Sequence, residues 1–264
     1  MQKLHDLFHY HFTQNPSIDG VLELILSFPK VAELEELIGH SFNRKDLLLS
    51  ALVHPSLGNE IALFQKINYQ RLEFLGDSVL GAILAEKLYS SFPDSSEGDL
   101  SKMKAHLAGQ EMIAKLGLGM QLENFIIFGK GTFAQLEVAT NVSKGLIRAV
   151  SDTVEALLGA TFLDSGLEQA KIVFEKFTSK YSLAYQKDYL DMATFGEFDP
   201  KSRLQEKCLT AHKMLPVYEC RTRNNGLECT LIVNGQVAAL GHGLSKKEAE
   251  QSAARQALAT LFKN

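Results

Sequence analysis

From Val31 to about Tyr185 the apolar residues recur every three or four positions, the period of α-helices that bury one face. Six stretches carry this pattern: 31–40, 43–52, 71–89, 99–117, 145–166 and 167–181. The breaks between them are short and hold Gly, Pro, Asn or Ser. Within one such break, at residues 92–99, Asp99 is a candidate N-cap. This predicts an all-α domain over 31–185. Residues 186–197 lose the period and read as a linker. Beyond them a helical stretch (202–213) gives way to β-like runs at 217–223, 227–233 and 236–243. Asn-Asn-Gly and Asn-Gly stand between the runs as turn signals. An amphipathic helix over 245–262 closes the chain. The order α-β-β-β-α over 198–264 predicts a small α+β domain. Residues 1–30 resemble two short amphipathic helices and form an extension whose role the pattern does not assign.

Charge sharpens this division. The chain carries −4 overall, but ten Lys and Arg face six Asp and Glu from Phe198 onward, a net of +4 that leaves −8 for residues 1–197. A basic tail on an acidic body predicts two domains with separate tasks. No signal-peptide core and no apolar run near the roughly 20 residues of a membrane span is visible, so the expected location is cytoplasmic. Cys208, Cys220 and Cys229 are odd in number, widely spaced and without a CxxC. They read as ordinary thiols of a reduced protein rather than a disulfide framework or a zinc site.

Two helices contain carboxylates where apolar residues dominate. Glu73 and Asp77 are four apart in 71–89, a segment apolar nearly all round and therefore expected to be buried. Asp152 and Glu155 are three apart in 145–166. An ionised carboxylate buried without a partner costs several kcal/mol. The only bases in these segments are Arg71, Lys87 and Arg148. If the helices face one another, four carboxylates converge, and their charge of about −4 matches two divalent cations of the kind that cut phosphodiesters. Carboxylate oxygens suit Mg²⁺ or Mn²⁺. The competing reading, a solvated acidic face, is common for an i,i+4 pair taken singly.

The segments RLEFLGDSVL (71–80), EGDLSKMKA (97–105) and SDTVEALLGA (151–160) resemble the ribonuclease III family. The C-terminal stretch with SKKEAEQSAARQAL (245–258) resembles that family's double-stranded RNA-binding domain. The resemblance spans about residues 31–264. It implies a homodimeric, Mg²⁺-dependent endonuclease, with Mn²⁺ as a substitute, that leaves a 5′-phosphate and a short 3′ overhang and processes structured precursors such as ribosomal RNA. By position it implies metal ligation by Glu73, Asp152 and Glu155, and catalytic roles for Asp77 and Glu155. It also implies a supporting role for Glu97 and a dimer contact at Phe74. Gln70 stands where the family usually has Glu, at a position linked to RNA contact and subunit pairing. In the tail, the resemblance assigns RNA contacts to Ser202, Gln205 and Glu206. Lys246 and Lys247 occupy the first turn of the last helix, where cations oppose the helix dipole and so point to an anionic partner. The usual longer loop with a His between the first two strands is missing. The alternative is a catalytically silent RNA-binding protein that keeps the fold.

Other signals are weak. Residues 129–132, Gly-Lys-Gly-Thr, lack phosphate-loop spacing and read as a mobile turn. His5, His9 and His11 read as an exposed or fraying face.

Overall fold

A computed structural model describes residue 20 and residues 29–138, 143–190, 200–223 and 226–262, with the side chains of Ser202 and Glu206 excluded. The readings at His5, His9 and His11 and of residues 1–19 and 21–28 lie outside the described residues, as do residues 191–197 of the linker and residues 198 and 199 of the second domain. Contacts divide the chain into two compact units, Met1–Leu190 and Asp191–Asn264.

The first unit is helical. In order it contains α1 (Pro29–Ile38), α2 (Lys45–Leu52), α3 (Gln70–Ser91), α4 (Glu97–Leu107), α5 (Gln110–Gly119), α6 (Lys130–Val138) and α7 (Lys144–Tyr185). The long α7 is broken at Gly166, whose φ of 84° no helix accommodates and which glycine tolerates best. That break falls where the sequence period restarts. The segment read as one helix over 99–117 is two, α4 and α5, separated at Ala108 and Gly109. Ser96, not Asp99, caps α4: its hydroxyl accepts the Asp99 amide at 3.2 Å and donates to the Asp99 carboxylate. Residues 129–132 are not a loose turn either. Lys130 begins α6, and Gly129 is pressed so closely on Ser56 that a Cβ would lie 2.6 Å from the Ser56 carbonyl oxygen.

α3 is not buried all round. Leu72, Gly76, Val79, Leu80, Ile83 and Leu84 face the core, while Phe74 (79% exposed), Asp77 and Tyr89 (76%) face outward in the single chain. The central helix thus has a core side and a side that one copy alone leaves uncovered.

The second unit contains α8 (Pro200–His212), β1 (Val217–Arg223), β2 (Gly226–Val233), β3 (Gln236–Gly243) and α9 (Lys246–Leu261). The strands form an antiparallel meander in the order β1-β2-β3. Asn234 and Gly235 turn between β2 and β3 with positive φ at both residues, 50° and 75°, as the Asn-Gly signal implies. Leu204 and Cys208 of α8, Leu231 and Val233 of β2, and Ala253, Ala254 and Ala257 of α9 form one core. The reduced-thiol reading fails in this domain. Register places Cys220 opposite Cys229 on adjacent strands, with Cα atoms 4.0 Å apart, and the two form a disulfide. The pairing of β1 with β2 brings residues nine apart in sequence face to face, which spacing alone did not reveal. Cys208 remains a free, buried thiol.

Among the described residues no helix is long and apolar enough to cross a membrane.

Candidate metal centre

The acids meet because α3 and α7 cross at backbone contact. Helices normally keep 8–10 Å between axes, with side chains filling the gap. Here Gly76 removes the side chain on one helix and Gly159 on the other. A Cβ at Gly76 would lie 1.8 Å from the Glu155 carbonyl oxygen, and one at Gly159 would lie 2.4 Å from the Leu72 carbonyl oxygen. Side chains one turn away from these glycines therefore converge.

Glu73 from α3 and Asp152 and Glu155 from α7 bring carboxylate oxygens within 4.8 Å of one another. Asp152 is buried, at 8% exposure, while Glu73 and Glu155 are half-buried. Asp77 stands at the exposed edge, close enough for its charge to act on both Glu73 and Glu155. Burial, then the charges of Asp77, Asp152 and Glu73, pushes the Glu155 carboxyl up to about 8. Burial and the Asp152 charge likewise raise Glu73. Asp152 is raised by burial, against opposing contacts from Tyr69 and Arg148.

Beside the cluster lies a cavity of about 390 Å³, bordered by His54, Tyr69, Gln70, Glu73, Arg148 and Asp152 among others. Tyr69 donates its phenol proton to Asp152 Oδ2 at 3.2 Å, and Arg148 Nε lies 3.7 Å from the same oxygen. Burial and the neighbouring Arg148 charge lower His54 to about 4, so its ring is neutral near neutral pH. His54 Nδ1 instead accepts the Ser56 amide at 3.0 Å.

The cluster fits a divalent cation. It offers oxygen ligands at short mutual distance, and its negative charge is only partly balanced, by one largely exposed arginine. Glu97 is not among the three clustered acids. It sits exposed in the first turn of α4, where Glu97 Oε1 accepts the Ser101 hydroxyl at 2.8 Å. Gln70 is the exposed first residue of α3 and lines the cavity. The residues that sequence reasoning missed are Tyr69, His54 and Gly76. An isolated glycine within a long apolar helix is a sign of close backbone approach and could have marked Gly76.

In the second unit Lys246 and Lys247 are exposed at the start of α9. Ser245 caps that helix by accepting the Glu248 amide at 3.2 Å, and Glu248 Oε2 accepts the Leu244 amide at 2.8 Å. The helix start is therefore ordered without help from the two lysines. Gln205 is half-buried on α8. For Ser202 and Glu206 only the helical backbone is described.

The helical unit with its acid cluster and the α-β-β-β-α unit match two known models in this order. Residues 44–181, just over half the chain, match a family model described as "Ribonuclease-III-like". Residues 200–261 match the "Double-stranded RNA binding motif". A relative named "Ribonuclease 3" from Idiomarina loihiensis is 35% identical over 88% of this chain and 96% of its own length. Another of that name, from Acinetobacter pittii, is 37% identical over 85% and 92%. A solved nuclease domain of ribonuclease III from Campylobacter jejuni is 32% identical, covers 57% of this chain and 97% of its own, and has a TM-score of 0.49. The chain belongs to the ribonuclease III family.

Proposed function

We propose that the protein is a divalent-metal-dependent endoribonuclease that cleaves double-stranded RNA. The observation that carries this is the convergence of Glu73, Asp152 and Glu155 within 4.8 Å beside Asp77, in a chain whose tail matches a double-stranded RNA-binding motif. Residues 31–185 form the nuclease domain, 198–264 the RNA-binding domain, and 186–197 join them.

Glu73, Asp152 and Glu155 hold Mg²⁺, with Mn²⁺ able to replace it. The bound ion supplies activation of a water for attack on phosphorus and neutralisation of charge on the leaving oxygen. Asp77, at the exposed edge, is placed to exchange protons with the reacting groups. Glu155 must give up its proton before it can ligate, so it ties metal binding to pH. The close α3–α7 crossing at Gly76 and Gly159 closes one side of the cluster. Cleavage leaves a 5′-phosphate and a short 3′ overhang, and structured precursors such as ribosomal RNA are the natural substrates. Two copies pair through the exposed α3 face at Phe74, and the enzyme works in the cytoplasm. Gln70 retains the shape but not the charge of the acid usual at its position, which alters substrate preference more than cleavage. Glu97 is assigned a supporting role by resemblance. In the tail, Gln205, Ser202 and Glu206 of α8 contact a minor groove while Lys246 and Lys247 meet phosphates.

The alternative, a silent RNA-binding protein, is disfavoured by retention of all four central acids. The test is incubation of long duplex RNA with the wild-type chain and with Glu155→Gln, with and without Mg²⁺. The proposal requires cutting only by wild type with metal. Uncut RNA in that sample, with binding retained, selects the alternative.

A further inference from the structure

We propose that Tyr69 is a positioning residue for the metal centre: its phenol pins one oxygen of Asp152 so that the other faces Glu73 and Glu155. The inference rests on the reading that these acids bind a divalent ion, and its test separates the two.

Three observations support it. Tyr69 is 3% exposed, and its hydroxyl reaches Asp152, 83 residues away, through a buried hydrogen bond. A buried phenol needs such a partner, and the ionised carboxylate is a strong acceptor. The ring is itself fixed. It packs nearly perpendicular to the His54 ring with centroids 5.5 Å apart, and the Tyr69 amide donates to the Val53 carbonyl at 3.1 Å. Finally, the Tyr69 carbonyl accepts the Glu73 amide at 2.8 Å, so the group that orients Asp152 also begins the turn that presents Glu73. One rigid residue thus sets the relative placement of ligands from two helices.

Arg148 has a different part. Its side chain is 73% exposed and its Nε lies 3.7 Å from Asp152 Oδ2, the oxygen already held by Tyr69. A solvated arginine at that distance is a weak, mobile partner. It balances charge while the ion is absent and competes with the ion for Asp152. Without the phenol, the Asp152 carboxylate is free to turn toward Arg148 and away from its fellow ligands. Partners that orient metal ligands typically contribute about 10–100-fold in metal affinity.

The measurement is Mn²⁺ affinity of the full chain without RNA, by paramagnetic resonance of the free ion. It compares wild type, Tyr69→Phe, Asp152→Asn and Arg148→Met, with circular dichroism melts as the check on folding. The expected result is weakening of about tenfold or more in Tyr69→Phe and equal or tighter binding in Arg148→Met. Cleavage by Tyr69→Phe should recover toward wild type as Mn²⁺ is raised, with duplex affinity unchanged. Unchanged Mn²⁺ affinity in Tyr69→Phe, alongside loss in Asp152→Asn, overturns the role of Tyr69 and leaves the metal centre intact. Should Tyr69→Phe not fold, Arg148→Met decides: tenfold weakening there assigns orientation to Arg148 and also overturns the proposal. Absence of Mn²⁺ binding in wild type overturns the metal reading and this inference with it.

Discussion

Gly76 lies against the backbone carbonyl of Glu155, so that a methyl group on its Cα would come within 1.8 Å of that oxygen. The contact sets how near the two acid-bearing helices approach. Gly76→Ala must therefore push α3 from α7 or break the turn. We expect destabilisation of about 1–3 kcal/mol, the usual cost of overpacking, together with loss of cleavage. Gly81 on the same helix has nothing within 4 Å of its Cβ position, so Gly81→Ala should stabilise by up to about 1 kcal/mol. Urea denaturation of the two variants checks both signs.

The acid cluster makes stability depend on pH. Glu155 is raised from 4.5 to about 8 in the folded chain. Such a carboxyl binds its proton more tightly folded than unfolded. Its contribution is complete below the unfolded value and is lost as pH rises through about 8. Without divalent ions, wild type should lose thermal stability relative to Glu155→Gln between about pH 5 and 8. Mn²⁺ affinity should rise over the same window, and saturating Mn²⁺ should oppose the loss. Calorimetric melts at stepped pH, with and without Mn²⁺, read all three effects.

Much of this was legible in the sequence. Helical period located α3 and α7, and acids amid apolar residues singled out Glu73, Asp77, Asp152 and Glu155. The expectation that α3 is buried throughout was not met, because Phe74 and Tyr89 look apolar by type whether the covering surface is this chain or another. Tyr69 was missed for a physical reason. Its link to Asp152 spans 83 residues, and no local period encodes a hydrogen bond between helices. The Cys220–Cys229 bond was missed because it depends on strand register rather than on cysteine spacing.

Phe74 contributes little to the isolated fold, being 79% exposed. At protein concentrations that leave both chains monomeric, Phe74→Asp should leave the melting of the helical unit within about 0.5 kcal/mol of wild type, as surface changes generally do. It should shift the chain from dimer to monomer in sedimentation velocity. A dimer that survives Phe74→Asp places the pairing surface elsewhere.

Lys246 and Lys247 should act through phosphate charge alone, since Ser245 and Glu248 already order the helix start. Replacing both by Gln should weaken duplex RNA binding across sequences and flatten the dependence of log affinity on log salt by about 2. Fluorescence anisotropy at several salt concentrations measures that slope, and the melt of the small domain should not fall.

The most direct test is crystallographic. Anomalous scattering from crystals of the full chain grown with Mn²⁺ should give a peak bounded by the carboxylates of Glu73, Asp152 and Glu155, absent in Glu155→Gln. Crystals whose manganese peaks all lie elsewhere, with those three carboxylates facing only one another or solvent, would contradict the account.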